Sequence, residues 1–481
     1  MSFSGQLSLA IPELILAGSV LLLIVVGAVR GDGSTRLISG GAVIALISAA
    51  VSAAWSPDGR VFNGGFVSDA AASYAKVFIY GLMAVAVPLG DRWMARNGNM
   101  RFEYPLLVLL AALGMGMTAS CGDLISLFIG VELQSLSLYV LTTFQRDDAR
   151  GSEAGLKFFV LGALSSGLML YGASLIYGFA GSVRFDLIAA AVTAQGEGPG
   201  LGLTFGLVFL MCGLAFKVSA APFHMWTPDV YEGAPTPVVI ILAGASKIAA
   251  LVFIARVLAD GFPGAVEDWR QVLIVISIIS MALGAYAGLV QKNLKRLLAY
   301  SSIANMGYAL LGLAAGTDAG LQAMLVFMVL YAIDSTGFFA CLMALNRGGR
   351  AMERLEDFAG LSKSRPDIAL ALTVLAFSTM GIPPMSGFWS KFFVFGAAID
   401  AGLWPVAVFG LLTSVVAAYY YLRLVKVMWF DPSPSPVDVP AGEARVVALS
   451  AAAFSFPLVL PALALLGPFA LAGARAFGLT G

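Results

Sequence analysis

The chain has 481 residues, 59% of them hydrophobic, and its 28 Lys or Arg are balanced by 28 Asp or Glu. Charged residues make up 12%, about half of the ~25% usual in a soluble domain, so a soluble fold of this size could not cover its surface. The mean hydropathy of +0.90 and the 54 glycines point the same way, to an integral membrane protein. One histidine, His224, and three widely spaced cysteines, Cys121, Cys212 and Cys341, leave no ligand set for zinc, haem or an iron–sulfur cluster. No GxGxxG follows a strand, and a net charge of zero argues against a nucleic-acid partner.

A membrane span needs about 20 mostly apolar residues. In chain order that rule predicts about fourteen transmembrane helices, at 11–29, 37–55, 71–90, 104–120, 124–143, 155–178, 201–220, 236–259, 271–290, 297–315, 320–345, 367–398, 404–428 and 446–473. The first of these follows a stretch without a basic residue and is long enough to span, so it reads as a helix rather than a removable signal. The apolar runs are continuous, not alternating, which excludes a barrel and predicts an all-α fold. The spans fill the chain, so 1–481 is expected to form a single polytopic membrane domain. Its expected parts are helices 1–3 at 11–90, a first repeat at 104–259, a second at 271–428 and helix 14 at 446–473.

Orientation follows from the Lys/Arg bias of short loops. With the N-terminus outside, the cytoplasmic loops hold 18 basic residues, Lys292, Lys295 and Arg296 before the tenth span among them. The outer loops hold 5: Arg60, Arg184, Arg256, Arg270 and Arg475. Both termini are therefore expected on the outer side of the membrane.

Two spans are interrupted, the seventh by Ala221-Pro222 through Pro235-Thr236-Pro237 and the twelfth by Gly381-Ile382-Pro383-Pro384. Proline removes a donor and clashes with the preceding turn, so both helices break. Broken backbone at membrane depth is tolerated only where protein or a water-filled cavity satisfies the freed groups. A pair of broken helices five spans apart predicts two inverted five-helix repeats, the alternative being two ordinary kinked helices.

Five lysines fall within spans, Lys76, Lys157, Lys217, Lys247 and Lys391, with Lys426 at the end of the thirteenth counted among the cytoplasmic loop residues. Glu132 stands about nine residues into the fifth span, and Asp334 lies midway along the eleventh. Each such group costs about 2.5–3.5 kcal/mol to insert, so a retained one is functional by default and needs a partner or water. Glu132 shares a helical face with Ser135 and Tyr139. Lys217 precedes the first break, Lys247 is central in the eighth span, and Lys391 follows the second break with Ser390 beside it. A Glu–Lys pair whose contact is made and broken is a proton switch, and arginine cannot replace the lysine because it effectively never deprotonates. Lys76 and Lys157 stand nearer span ends, where a lysine can reach the interface, and Glu153 precedes Lys157 by one turn. His224 is either a relay member or a hydrogen-bonded core residue. Asp334 is either a counter-ion or a tie to a neighbouring helix.

At this point the motifs resemble a known family. Gly130-Val131-Glu132-Leu133-Gln134-Ser135 is similar to the fifth-helix motif of the antiporter-like membrane subunits of respiratory complex I, NADH-quinone oxidoreductase. Phe216-Lys217 with Ala221-Pro222-Phe223-His224-Met225-Trp226-Thr227-Pro228 resembles their broken seventh helix, and Lys292-Asn293-Leu294-Lys295-Arg296 the start of their tenth. Gly381-Ile382-Pro383-Pro384 followed by Gly387-Phe388-Trp389-Ser390-Lys391 looks like the N-type member, with a lysine where the M-type carries a glutamate.

The resemblance implies that Glu132 and Lys217 are the switch pair, Lys247 the central relay and Lys391 the distal proton site. It makes His224 and Lys157 supporting members of the polar axis. It implies a proton-translocating subunit with no cofactor of its own, while NADH, FMN, iron–sulfur clusters and quinone are handled by partner subunits, membrane and peripheral. The subunit alone is expected to reduce nothing. Rival readings are a subunit of an Mrp-type cation/proton antiporter, a membrane subunit of an energy-converting hydrogenase, and a passive scaffold.

Overall fold

The computed structural model describes residues 3–194, 200–433, 437–439 and 441–479 and is nearly all helical. In chain order the helices are α1 (Phe3–Leu9), α2 (Ile11–Arg30), α3 (Thr35–Ala54), α4 (Ala70–Arg96), α5 (Glu103–Ala119), α6 (Leu124–Thr142), α7 (Ala149–Ala180), α8 (Phe185–Ala194) and α9 (Leu201–Val218). There follow α10 (Trp226–Gly233), α11 (Thr236–Ala243), α12 (Ala245–Arg256), α13 (Val266–Leu289), α14 (Leu294–Ala314) and α15 (Asp318–Ala344). The last are α16 (Leu361–Ser364), α17 (Pro366–Met380), α18 (Ser386–Asp400), α19 (Trp404–Phe430), α20 (Gly442–Ala453) and α21 (Val459–Arg475). Among the described residues, strands are confined to two short hairpins, β1 (Gly59–Val61) with β2 (Phe66–Ser68), and β3 (Asn346–Arg347) with β4 (Arg350–Ala351).

Each of the fourteen apolar stretches expected from sequence falls on helix. Eleven helical stretches among the described residues are long and apolar enough to cross a membrane. In that set α2 and α3 run on as one stretch, Ile11–Ala54, while Glu103–Ala119 and Pro366–Met380 are apolar but shorter. Local chemistry explains several ends. Asp69 and Asp123 cap α4 and α6, accepting from the amides of Ala72 and Ser126 at 2.8 and 2.6 Å. Gly181 and Gly381 end α7 and α17 in the left-handed conformation, where a side chain would be strained.

The chain packs as two compact units. One holds Met1–Val218, Ala245–Arg270 and Phe469–Gly481; the other holds Ser219–Gly244 and Gln271–Pro468. The boundary runs through both interruptions of the 201–261 region, so the broken stretch after α9 is packed with the later helices.

In the first unit small residues let helices cross closely. A Cβ on Gly114 of α5 would lie 2.5 Å from the amide nitrogen of Gln134 of α6, and one on Gly172 of α7 2.5 Å from that of Leu210 of α9. In the second unit Gly284 of α13 meets the Tyr300 carbonyl of α14 in the same way. Without water to drive apolar association, such close backbone contact is a main source of helix–helix attraction in a bilayer.

Three basic residues sit differently from their sequence reading. Lys76 does not reach an interface: it is buried against Glu13 of α2 at 2.6 Å, with the Phe66 ring 4.8 Å from its ammonium. Arg256, assigned above to an outer loop, is buried in the last turn of α12 and pairs with Asp69 at 2.7 Å and Asp260 at 3.1 Å. Lys295, assigned to a cytoplasmic loop, is buried in the first turn of α14 and donates to the Ala234 carbonyl at 3.0 Å. In each case the tertiary fold covers a residue that distance from a span end had placed outside.

Candidate functional site

In the first unit Glu132 and Lys217 do not touch as an ion pair; each holds a serine. Glu132, on α6, accepts a short hydrogen bond from Ser166 of α7. Lys217, in the last turn of α9, donates to Ser135 at 3.0 Å. Ser135 stands one turn after Glu132 on the same helical face, so the ammonium is held beside the carboxylate's helix by a hydroxyl. That hydroxyl can accept from an ammonium or donate to a neutral amine.

Lys247, on α12, is fully buried and donates to the Val218 carbonyl at 2.9 Å. The sequence explains why that carbonyl is available. In an α-helix it would accept from the amide four residues on, and that residue is Pro222, which has none. Lys247 thus caps an acceptor that the broken helix leaves open.

The second unit repeats this device. Pro383 and Pro384 stand four residues after Thr379 and Met380, whose carbonyls lose their helical donors. Lys391 Nζ fills both places, donating to Thr379 at 2.8 Å and Met380 at 3.1 Å. Its third partner is Ser414 Oγ of α19 at 2.7 Å, and the Tyr308 ring lies 5.1 Å away. An ammonium has three N–H donors and meets three acceptors here. A neutral amine would keep two donors for the two carbonyls and take the Ser414 proton on its lone pair. The site stays hydrogen-bonded in both protonation states.

The remaining expected residues are less closely bound into these sets. Lys157 pairs with Glu153 one turn earlier at 2.7 Å, and its side chain is 42% exposed. His224 is half-buried in the turn before α10, in the second unit, and its backbone carbonyl accepts from Thr227. Ser390 donates to the Gly387 carbonyl and does not accept from Lys391, whose partners are Thr379, Met380 and Ser414. Asp334 resolves as a tie between helices: it accepts from Ser378, Ser386 and Ser455.

Sequence reasoning missed Ser166, Ser414 and the proline-freed carbonyls. The carbonyls had a usable signal, since a proline four residues after a helical position always leaves that position's oxygen without its helical donor.

In the second unit a cavity of about 10 Å³ is lined by Ser301, Tyr331, Ser335, Thr379 and Tyr421, with apolar residues around them. Room on this scale suits one water molecule with several polar partners. Tyr231 of α10 and Ser302 of α14 lie 3.4 Å apart. Arg296 pairs with Asp229 at 2.6 Å and Glu232 at 3.1 Å, fixing α10 against α14. Among the described residues no group of three or more His, Cys, Asp or Glu could hold a metal ion.

A family model described as "NADH:quinone oxidoreductase/Mrp antiporter, TM" matches residues 121–417, which include all of these lysines except Lys76. A protein named NADH-quinone oxidoreductase subunit N from Caulobacter sp. (strain K31) is 62% identical, over 99% of this chain and all of that one. A chain of respiratory complex I from Thermus thermophilus with bound aureothin superposes with a TM-score of 0.81 at 34% identity, covering 94% of this chain and 98% of that one. A chain of the Mrp complex from Dietzia sp. DQ12-45-1b has a TM-score of 0.85 at 23% identity, over 99% of this chain and 98% of that one, and speaks to the fold alone.

Proposed function

This chain belongs to the NADH:quinone oxidoreductase/Mrp antiporter membrane family, and from that membership we propose that it is the proton-translocating subunit N of an NADH-quinone oxidoreductase. Electron transfer from NADH to quinone takes place in partner subunits, which hold the FMN and iron–sulfur clusters. This chain binds none of them and reduces nothing alone. It is a multi-pass membrane protein, placed by this reading in a bacterial inner membrane with both termini periplasmic. Its neighbours are the other membrane and peripheral subunits of the complex. The 62% identity along essentially the whole length favours this over an Mrp antiporter subunit, for which the likeness is one of fold.

Glu132, Lys217 and Lys247 in one unit and Lys391 in the other take up and release protons during turnover; His224 and Lys157 support them. The observation that carries this reading is the way the deep charges are held. Glu132 is bonded to Ser166, and Lys217 to Ser135 one turn after Glu132 on the same helix as that carboxylate, so a direct ion pair would form by exchange of these two serine contacts. When the pair forms, the lysine holds its proton; when it parts, the proton can pass to a neighbour.

The test is Glu132→Ala and Lys217→Ala in the complete complex. Both should assemble and oxidise NADH, with proton pumping reduced. Wild-type pumping in a fully assembled variant would overturn the assignment.

A further inference from the structure

The second unit holds a buried carboxylate that the proton path above does not use. Asp334 lies midway along α15, and its side chain accepts from three serines on three different segments. Ser378, near the end of α17, donates at 2.7 Å; Ser386, the first residue of α18, lies 3.0 Å from each oxygen; Ser455, in the irregular turn between α20 and α21, makes a short bond. Ser378 and Ser386 are also 2.7 Å apart, and the Gly387 amide donates to the Ser378 hydroxyl at 2.9 Å. All three serines are completely buried.

The placement of these serines is specific. Ser378 and Ser386 flank the Gly381–Met385 interruption, so one carboxylate grips both sides of the break. The residue after Ser386 is Gly387, where any Cβ would collide with the Ser378 carbonyl; the two flanks approach as closely as backbone allows. Between them lie Thr379 and Met380, whose freed carbonyls hold Lys391. The two prolines remove the helical donors of the Thr379 and Met380 carbonyls, and the break keeps only short local turns, with Gly381 and Ile382 donating to the Phe377 carbonyl and Met385 to that of Ile382. These turns do not span from one flank to the other, and α15 supplies a tie that does, the Asp334 carboxylate between Ser378 and Ser386.

We propose that Asp334 is a positioning residue that clasps the two halves of the broken twelfth segment, and so aims the Thr379 and Met380 carbonyls at Lys391. This rests on Lys391 being a proton site, but the clasp itself is a statement about the 377–390 backbone and can be tested apart from it. The requirement is hydrogen bonding, not charge. An asparagine would meet it, since its carbonyl oxygen still accepts from the serines and its amide donates to a serine oxygen. An apolar residue of similar size would leave three buried hydroxyls without their acceptor.

The experiment uses the intact purified complex carrying Asp334→Asn, Asp334→Val or Ser455→Ala, with amide hydrogen exchange of peptides covering 377–390 and the proton-to-electron ratio as readouts. Asp334→Val should speed exchange in 377–390 by about tenfold or more and lower the ratio, whereas Asp334→Asn should keep both within about twofold of wild type. Ser455→Ala, which removes one donor from outside the break, should speed exchange by a smaller factor and serves if Asp334→Val fails to assemble. Unchanged exchange in Asp334→Val, or in Ser455→Ala where only that variant assembles, would overturn the clasp. So would Asp334→Asn losing pumping as fully as Asp334→Val while 377–390 keeps its protection, because that pattern marks a group that must carry a proton. Lys391→Ala with wild-type pumping would remove the proton role of Lys391 and leave the exchange result standing.

Discussion

A primary amine suits a site that must stay hydrogen-bonded with or without its proton. At Lys391 the two proline-freed carbonyls need donors in either state, and Ser414 can reverse its role from acceptor to donor. Lys247 is held on the same principle by the Val218 carbonyl. Arginine in that place would satisfy the carbonyl and keep the charge, but it would not release a proton. Lys247→Arg should therefore assemble and oxidise NADH while its H⁺/e⁻ ratio falls clearly below wild type; a wild-type ratio would count against a relay role. The burial of Lys217, Lys247 and Lys391 was legible in the sequence because an ionisable residue inside an apolar run stands out against its neighbours, whereas Glu132 is only half-buried. Lys76, Arg256 and Lys295 were misplaced, since position along a helix says nothing of what packs over its end. Glu13, which meets Lys76, stands within the first turn of α2 and reads from sequence as an ordinary interfacial carboxylate.

Elements position these residues through backbone contact. Ser166, which binds Glu132, and Lys217, which binds Ser135, lie on α7 and α9, and those two helices cross where Gly172 faces Leu210 and Gly206 faces Ile176. Gly213 of α9 abuts the Ser165 carbonyl close to the site itself, and Ser165 donates back to the Gly213 carbonyl at 3.1 Å. Leucine at Gly172 would force the helices apart by more than neighbouring side chains can absorb, since the atoms in the way are backbone. We expect Gly172→Leu to lower pumping and reduce the amount of assembled complex, whereas Gly167→Ala on the same helix, where a Cβ meets nothing, should leave both unchanged. Equal behaviour of the two variants would show that this crossing does not set the site. The helices were readable as apolar runs and the breaks as prolines. Which glycines mark crossings was not, because the chain has 54 of them and only the packed fold distinguishes Gly172 from Gly167.

For the whole molecule, the loops of each unit sort into two ends, as helices that alternate in direction require. In the first unit Arg101 pairs with Asp32 at 2.7 Å, joining the loops after α2 and α4. The opposite loops meet in turn: Phe66 bridges to Cys121, Asp123 to Arg184, and Arg256 reaches Asp69. In the second unit Asn293 bridges to Arg354, and the Asp438 amide donates to the Asn346 carbonyl at 2.9 Å, gathering the loops after α13, α15 and α19. The basic residues divide along the same lines. With Arg256 buried, the loops expected outside keep only Arg60, Arg184, Arg270 and Arg475, which sharpens the asymmetry that sets orientation. A reporter fused after Gly481 should therefore be active if it is an alkaline phosphatase, which needs an oxidising exterior, and dark if it is a fluorescent protein that matures only in the cytoplasm. A second pair fused after Arg350, in the β3–β4 hairpin, should give the reverse. The opposite pattern at both positions would invert the orientation, and like results at the two would break the alternation on which the count of spans depends.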